Sequence, residues 1–284
     1  MSKIDRVAVL GAGTMGHGIA QICAVAGMDV VIRDLNDEVL ARGMQGIERS
    51  LEKLSSKGKI DAATREGALG RLSTTTDLAE AVANADLVVE AIPEKMALKI
   101  ETFRALAEHA PAHAILATNT SSLSVTEIAA ASGDPARVVG LHFFNPVPIM
   151  KLLEIVRGLG TSDESIATAR EFAARVGKEA IVVNDFPGFA TSRLGVILGC
   201  EAIRMLESGV ASAEDIDKAM ELGYRHPMGP LRLTDLVGLD VRLAILDHLH
   251  KELGEQFRPP ALLRQMVRAG KLGRKSGEGF YRYE

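Results

Sequence analysis

An α/β domain built on a mostly parallel sheet, followed by a smaller all-α domain, is what this 284-residue sequence predicts. Three observations point there. Up to about residue 186, short apolar runs of strand composition alternate with segments of helical spacing. These runs are nearly unbroken in hydrophobicity, which suits strands covered on both faces. From Ala190 onward strand candidates become few, and helical segments continue to the end.

Val7 to Leu10 is the first apolar run, and it stops at Gly11. Gly11, Gly13 and Gly16 spell G-x-G-x-x-G, with Ala12, Thr14 and Met15 between them, and Gly18 to Gly27 has helical spacing. Asp29 to Asp34 then reads as a second strand, ending in an acid 18 residues after Gly16. Gly11 permits the tight turn, Gly13 lets the backbone approach a pyrophosphate, and Gly16 lets the helix pack close on the strand. The pyrophosphate would sit on the positive end of that helix. A glycine fingerprint alone is weak evidence. Between a strand and a helix, with an acid at this spacing, it predicts a Rossmann-type dinucleotide-binding domain. Asp34 accepts hydrogen bonds from ribose hydroxyls and repels a phosphate there, which favours NAD over NADP. Arg33 reads as a solvated strand-end charge, although turned inward it would tolerate a phosphate.

Between Asp34 and Ala85 the sequence reads as helical, with a charged patch from Glu48 to Ile60. On composition its Lys53, Lys57 and Lys59 read as a solvated helix end; the functional alternative is a platform for phosphates. Ala85–Glu94, His113–Leu123 and Arg137–Phe144 supply three more strands, and after the turn-prone NPVP a further run leads to Val156. Side by side, the last two runs would set Glu154 against the imidazole of His142. A carboxylate on one ring nitrogen fixes the tautomer, stabilises the imidazolium and leaves the other nitrogen to take a proton. The bland reading of the same two residues is a structural ion pair.

Residues 161–180 read as a helix capped by Ser162 or Asp163, and IVVNDFPGF gives a last strand with a break at Pro187–Gly188. The boundary therefore falls between an NAD-binding domain, 1–186, and a helical substrate and dimerisation domain, 187–284. Helices are expected over about Thr191–Ser208, Ala211–Gly223 and Thr234–Leu253, before a glycine-rich tail.

A net charge of -4, with 4% aromatic residues and no Trp, gives no reason to expect nucleic acid as a partner. No apolar run is long enough to span a bilayer, and MSKIDRVAVLGAG has no signal-peptide core. Cys23 and Cys200 lie in apolar helical sequence without metal or redox spacing, as buried thiols of a reducing compartment. A cytoplasmic protein without membrane contact is the expectation. No metal is expected, since His17, His226 and the remaining histidines form no convincing ligand set.

The stretches GAGTMG at Gly11, DLVVEAIPE at Asp86, TNTSSL at Thr118, GLHFFNPVPIMKLLEIV at Gly140 and DFPGF at Asp185 carry a resemblance. EDIDKAMELGY, HPMGPLRLTDLVGLD and GRKSGEGFYRY extend it through the helical half. Over essentially its whole length the chain resembles the short-chain 3-hydroxyacyl-CoA dehydrogenase family, which includes bacterial 3-hydroxybutyryl-CoA dehydrogenases. The resemblance implies reversible, NAD-dependent oxidation of (S)-3-hydroxyacyl-CoA, such as 3-hydroxybutyryl-CoA, to the 3-ketoacyl-CoA, such as acetoacetyl-CoA. It implies His142 as the base, Glu154 as its carboxylate, Ser121 beside both the nicotinamide and the reacting oxygen, and Asn145 in contact with substrate. NAD would be held by Gly11 to Gly16, Asp34, Glu94, Lys99, Asn119, Ser121 and Lys275. Coenzyme A would meet Ser50, Lys53 and Lys57, which turns the lysine patch into a phosphate platform. A homodimer through the helical domain is implied as well.

One departure stands out. Where much of the family has an asparagine that helps polarise the substrate carbonyl, this chain has Ser192, in FATSR. Either Ser192 takes that role, directly or through a water, or Ser121 and His142 carry more of it. Two other readings share the fold: a dehydrogenase of free 3-hydroxy acids, which usually relies on a lysine base, and a non-catalytic NAD-binding protein.

Overall fold

The computed structural model describes residues 4–284; the first three residues of the N-terminal stretch considered above lie outside it. Two compact units divide the chain, Met1–Phe186 and Pro187–Glu284.

The first unit is built on one eight-stranded sheet. β1 (Arg6–Leu10), α1 (Thr14–Val25) and β2 (Asp29–Arg33) form the opening βαβ unit. α2 (Asp37–Ser56) and α3 (Ala62–Gly70) follow, capped by the side chains of Asn36 and Asp61. Next come β3 (Leu72–Thr75), α4 (Leu78–Val82), β4 (Leu87–Glu90), α5 (Met96–His109), β5 (Ile115–Thr118) and α6 (Val125–Ala131). β6 (Val138–Phe143), β7 (Leu152–Arg157), α7 (Asp163–Arg175) and β8 (Glu179–Asn184) complete it. The strand order is β3-β2-β1-β4-β5-β6-β7-β8, and every neighbouring pair is parallel except β6 with β7.

The stretch from Asp34 to Ala85, expected to be helical throughout, thus also holds the strand β3. Its sequence, LSTT, sits at the sheet edge with Ser73 and Thr74 exposed, so no apolar run marks it.

Residue alternation along the strands builds two cores. Val7, Val9, Leu87, Val89, Val139 and Leu141 pack under α1, α2 and α7. Their neighbours Ala8, Leu10, Val88 and Val138 pack under α4, α5 and α6. Coverage on both faces is what unbroken hydrophobicity requires. It also leaves the carboxyl ends of β1, β2, β4, β5 and β6 along one edge, where ligands bind in open α/β sheets.

The second unit is helical: α8 (Thr191–Glu207), α9 (Ala213–Tyr224), α10 (Pro230–Val237), α11 (Leu239–Leu253) and α12 (Ala261–Arg268). Val196, Ile203, Ile216, Leu231, Leu246 and Leu249 form its core. The single helix expected near Thr234–Leu253 is two helices. Gly238, at φ +106°, breaks it, a conformation that side chains rarely adopt. The carboxylate of Asp235 fastens the tail by accepting from the Phe280 and Tyr281 backbone N–H groups and the Tyr283 hydroxyl, each at 2.9 Å.

Candidate active site

The glycine turn is built to the tolerance its sequence implies. Gly11 has φ +102°, and a Cβ there would lie 2.6 Å from the Ala91 carbonyl oxygen. A Cβ on Gly16 would fall 1.7 Å from the Gly11 carbonyl oxygen, so α1 can approach β1 only with hydrogen at that position. A Cβ on Gly13 would meet nothing within 4 Å, because Gly13 faces open space at the N-terminus of α1. No side chain caps that helix end. Its N–H groups are therefore placed for an anion such as a pyrophosphate.

Beside the turn lies a cavity of about 640 Å³, lined among others by Gly13, Met15, Asp34, Leu35, Ile92 and Leu98. Its apolar walls and volume fit an adenosine. Asp34 stands at its edge, one oxygen accepting from the Ala12 N–H and the other from the Leu35 N–H, both at 2.7 Å. Arg33 donates instead to the Thr76 carbonyl at 3.2 Å. Sequence reasoning missed the wall residues Leu35, Ile92 and Leu98. Two of them lie in strand-end loops, where apolar character is the one available signal.

At the ends of β4 and β5 an acid holds a turn in place. Oε1 of Glu94 accepts from the Thr120 hydroxyl at 2.6 Å, the Ser121 N–H at 2.8 Å and the Ser121 hydroxyl at 3.2 Å. Burial pushes its pKa up, but Lys99 and the Thr120 and Ser121 donors prevail, and the carboxyl lies below the usual glutamate value. Lys99, expected on the cofactor surface, is fully buried behind it. Its ammonium lies 2.7 Å from Glu90 and 3.3 Å from Glu94. Asn119 ties the next two strands together, its side-chain oxygen accepting from the Phe143 N–H at 3.0 Å. Glu90 and Thr120 were not singled out from sequence.

The antiparallel pairing of β6 and β7 places His142 and Glu154 in register. Both are buried, and Nδ1 of His142 lies 2.6 Å from Oε2 of Glu154. The Phe144 ring packs on the imidazole at 4.4 Å between centroids. Such a pair can accept and return one proton through the imidazole while the carboxylate carries the compensating charge. Asn145 follows, exposed, in the loop beyond β6.

Ser50 and Lys53 lie on α2, and Lys57 is its C-cap; steps of three and four residues put them on one stripe. Both lysines are exposed, and Ser50 is half-buried. In the second unit, Ser192 lies in the first turn of α8. Lys275 donates to both carboxylate oxygens of Asp240, at 2.6 and 2.7 Å. Among the described residues no group of three or more His, Cys, Asp or Glu is arranged to hold a metal. No described helix is long and apolar enough to cross a membrane.

Comparison with known proteins agrees with this geometry. The model of the 3-hydroxyacyl-CoA dehydrogenase NAD binding domain matches residues 6–186, and that of the 3-hydroxyacyl-CoA dehydrogenase C-terminal domain matches 188–283. The chain is 51% identical over 276 residues to the "Probable 3-hydroxybutyryl-CoA dehydrogenase" of Deinococcus radiodurans, covering 97% of this chain and 99% of that one. The crystal structure of M. tuberculosis FadB2 superposes with a TM-score of 0.96 at 45% identity, covering 100% of both chains. That of (S)-3-hydroxybutyryl-CoA dehydrogenase PaaH1 from Ralstonia eutropha gives 0.96 at 41% identity, over 99% of this chain and 100% of that one.

Proposed function

The chain belongs to the 3-hydroxyacyl-CoA dehydrogenase family, and from that premise we infer that it interconverts (S)-3-hydroxyacyl-CoA and 3-ketoacyl-CoA with NAD. The 3-hydroxybutyryl-CoA and acetoacetyl-CoA couple is the substrate pair its relatives support. The observation that carries the chemistry is the buried 2.6 Å contact between His142 and Glu154. With Nδ1–H donated to the carboxylate, Nε2 is the nitrogen that removes the proton of the 3-hydroxyl. Glu154 stabilises the imidazolium so formed, and in the reverse direction that imidazolium protonates the ketone. Ser121, held by Glu94 through its backbone N–H, turns its hydroxyl from Glu94 to the reacting oxygen and donates there as charge develops, and Ser192 is assigned the carbonyl-polarising place of the family asparagine.

Bound NAD supplies the hydride acceptor and NADH the donor. The turn from Gly11 to Gly16 cradles the pyrophosphate, Asp34 receives the ribose hydroxyls, and the neighbouring cavity takes the adenine. Asn119 and Lys275 complete the cofactor set, with Lys99 acting from behind through Glu94. Lys53 and Lys57, with Ser50, meet the phosphates of coenzyme A, and Asn145 meets the acyl end. The functional unit we propose is a cytoplasmic homodimer formed through the helical domain. Leu222 and Tyr224, each 76% exposed there, support such a surface.

The test is the loss of NADH absorbance on mixing the protein with acetoacetyl-CoA, with free acetoacetate and NADPH in parallel. Fast loss with the thioester and NADH alone is expected. Equal turnover of free acetoacetate would overturn the need for the carrier. Silence with every acyl-CoA chain length would overturn the activity.

A further inference from the structure

We propose that Glu90, at the C-terminal end of β4, is a positioning residue for Ser121, acting through Lys99 and Glu94. The proposal rests on the reading of Ser121 as the donor beside the reacting oxygen.

Glu90 and Lys99 are both 0% exposed, an arrangement that adds little to stability, because removing two charges from water largely offsets their attraction. Their location suggests what they do instead. Both oxygens of Glu90 take the Lys99 ammonium, at 2.7 and 2.9 Å. Glu90 also accepts from the Ile92 N–H at 2.8 Å and the Thr118 hydroxyl at 2.7 Å. It is therefore fixed to the loop after β4 and to the end of β5, and it fixes Lys99 in turn.

The contacts of Glu94 divide between its two oxygens. Oε2 faces Lys99 at 3.3 Å, while Oε1 takes the Thr120 hydroxyl and both Ser121 donors. One cation stands between two carboxylates. The closer one, Glu90, neutralises Lys99, so the negative charge of Glu94 is left to order the Ser121 turn. Without the charge of Glu90, the buried ammonium has Glu94 as its remaining carboxylate among these three groups. It then draws that carboxylate inward, away from Ser121.

The experiment compares the wild type with Glu90→Gln and with the double variant Glu90→Gln/Lys99→Met. The readouts are kcat and KM for acetoacetyl-CoA and NADH, thermal unfolding, and hydrogen exchange at the Ser121 amide. Glu90→Gln is expected to lower kcat about tenfold or more, with KM for the thioester within about twofold of the wild type, as for a displaced transition-state donor. The Ser121 amide should exchange faster. Adding Lys99→Met removes the unbalanced cation and should raise kcat at least about threefold over the single variant, whereas independent structural losses would add. A kcat within about twofold of the wild type, a fall in kcat without faster Ser121 exchange, or a double variant no better than the single one would each overturn the proposal. Should Glu90→Gln not fold, Glu90→Asp takes its place, since the shorter side chain withdraws the carboxylate from the Lys99 ammonium. Unchanged kcat and Ser121 exchange would then overturn the proposal. A wild type inactive on every thioester would sink the functional reading instead, and Ser121 exchange would still decide the coupling.

Discussion

Glu154 stands directly opposite His142 across the antiparallel β6–β7 pair, and this register brings the carboxylate to 2.6 Å from the imidazole. Cross-strand partners are set by the whole ladder, since slipping one residue would send every side chain to the other face. The geometry of the base is thus as rigid as the sheet itself.

His142→Gln should therefore keep the fold and lose the chemistry, with kcat down by about two to four orders of magnitude. Glu154→Gln keeps shape but removes the charge facing the imidazolium, and a loss of about tenfold to a thousandfold is expected. Steady-state kinetics with acetoacetyl-CoA alongside thermal unfolding separates the cases. Full kcat at a lowered Tm in either variant would mark a structural ion pair.

Two glycines of the same turn should respond in opposite ways. Gly16→Ala places a methyl 1.7 Å from the Gly11 carbonyl oxygen, so α1 must move away from the strand. A destabilisation of about 3 kcal/mol is expected, at the upper end for overpacking. Gly13→Ala meets nothing within 4 Å, and its backbone, at φ -66°, accepts alanine. Its Tm should stay within about 1 °C of the wild type, while KM for NADH rises about tenfold because the methyl occupies the pyrophosphate cradle. Equal effects on Tm and KM in both variants would contradict this division.

How much of this was legible beforehand follows from which signals are local. The glycine turn, the acid ending β2 and the paired β6–β7 runs are short-range patterns, and they predicted both the fold and the His142–Glu154 contact. Edge strand β3 was not legible because its polar residues carry no alternation. Nor was the break at Gly238, because the apolar spacing continues across it. Lys99 is the instructive case. The family resemblance implies a place for it at the cofactor, but only the fold reveals that Glu90 holds it buried behind Glu94. Glu90 itself reads as the polar end of a strand until Thr118, Ile92 and Lys99 converge on it.

Asp34→Ala should raise KM for NADH and leave that for the thioester unchanged. Hydrogen bonds to a charged group are worth about 1.5–3 kcal/mol, or roughly ten- to a hundredfold in affinity. The carboxylate also receives the Ala12 and Leu35 N–H groups, so the substitution slackens the glycine turn as well. Equal weakening toward both substrates would point to a folding defect.

Lys53→Ala/Lys57→Ala should act on the other substrate. Both lysines are exposed, so their attraction for phosphates is screened by salt. KM for acetoacetyl-CoA is expected to rise about tenfold at low ionic strength, with the difference from the wild type shrinking as salt is added. A salt-independent effect, or one on NADH, would remove the stripe from the coenzyme A site.

Glu94 gives a pH dependence whose sign can be worked out. Its folded pKa lies below the usual 4.5, burial being outweighed by Lys99, Thr120 and Ser121. A carboxyl with a depressed folded pKa stabilises the protein above its unfolded pKa, and that contribution is lost as pH falls through the lower, folded value. Glu94→Gln removes it at every pH. The Tm difference between wild type and Glu94→Gln should thus be constant from pH 7 to about 5 and shrink at more acid pH. The cradle around Ser121 stays assembled over that neutral range, so any decline of activity measured between about pH 7 and 5 belongs to another group. A Tm difference that grows on acidification would mean that the carboxyl is protonated more readily in the folded protein, contrary to the contacts that hold it.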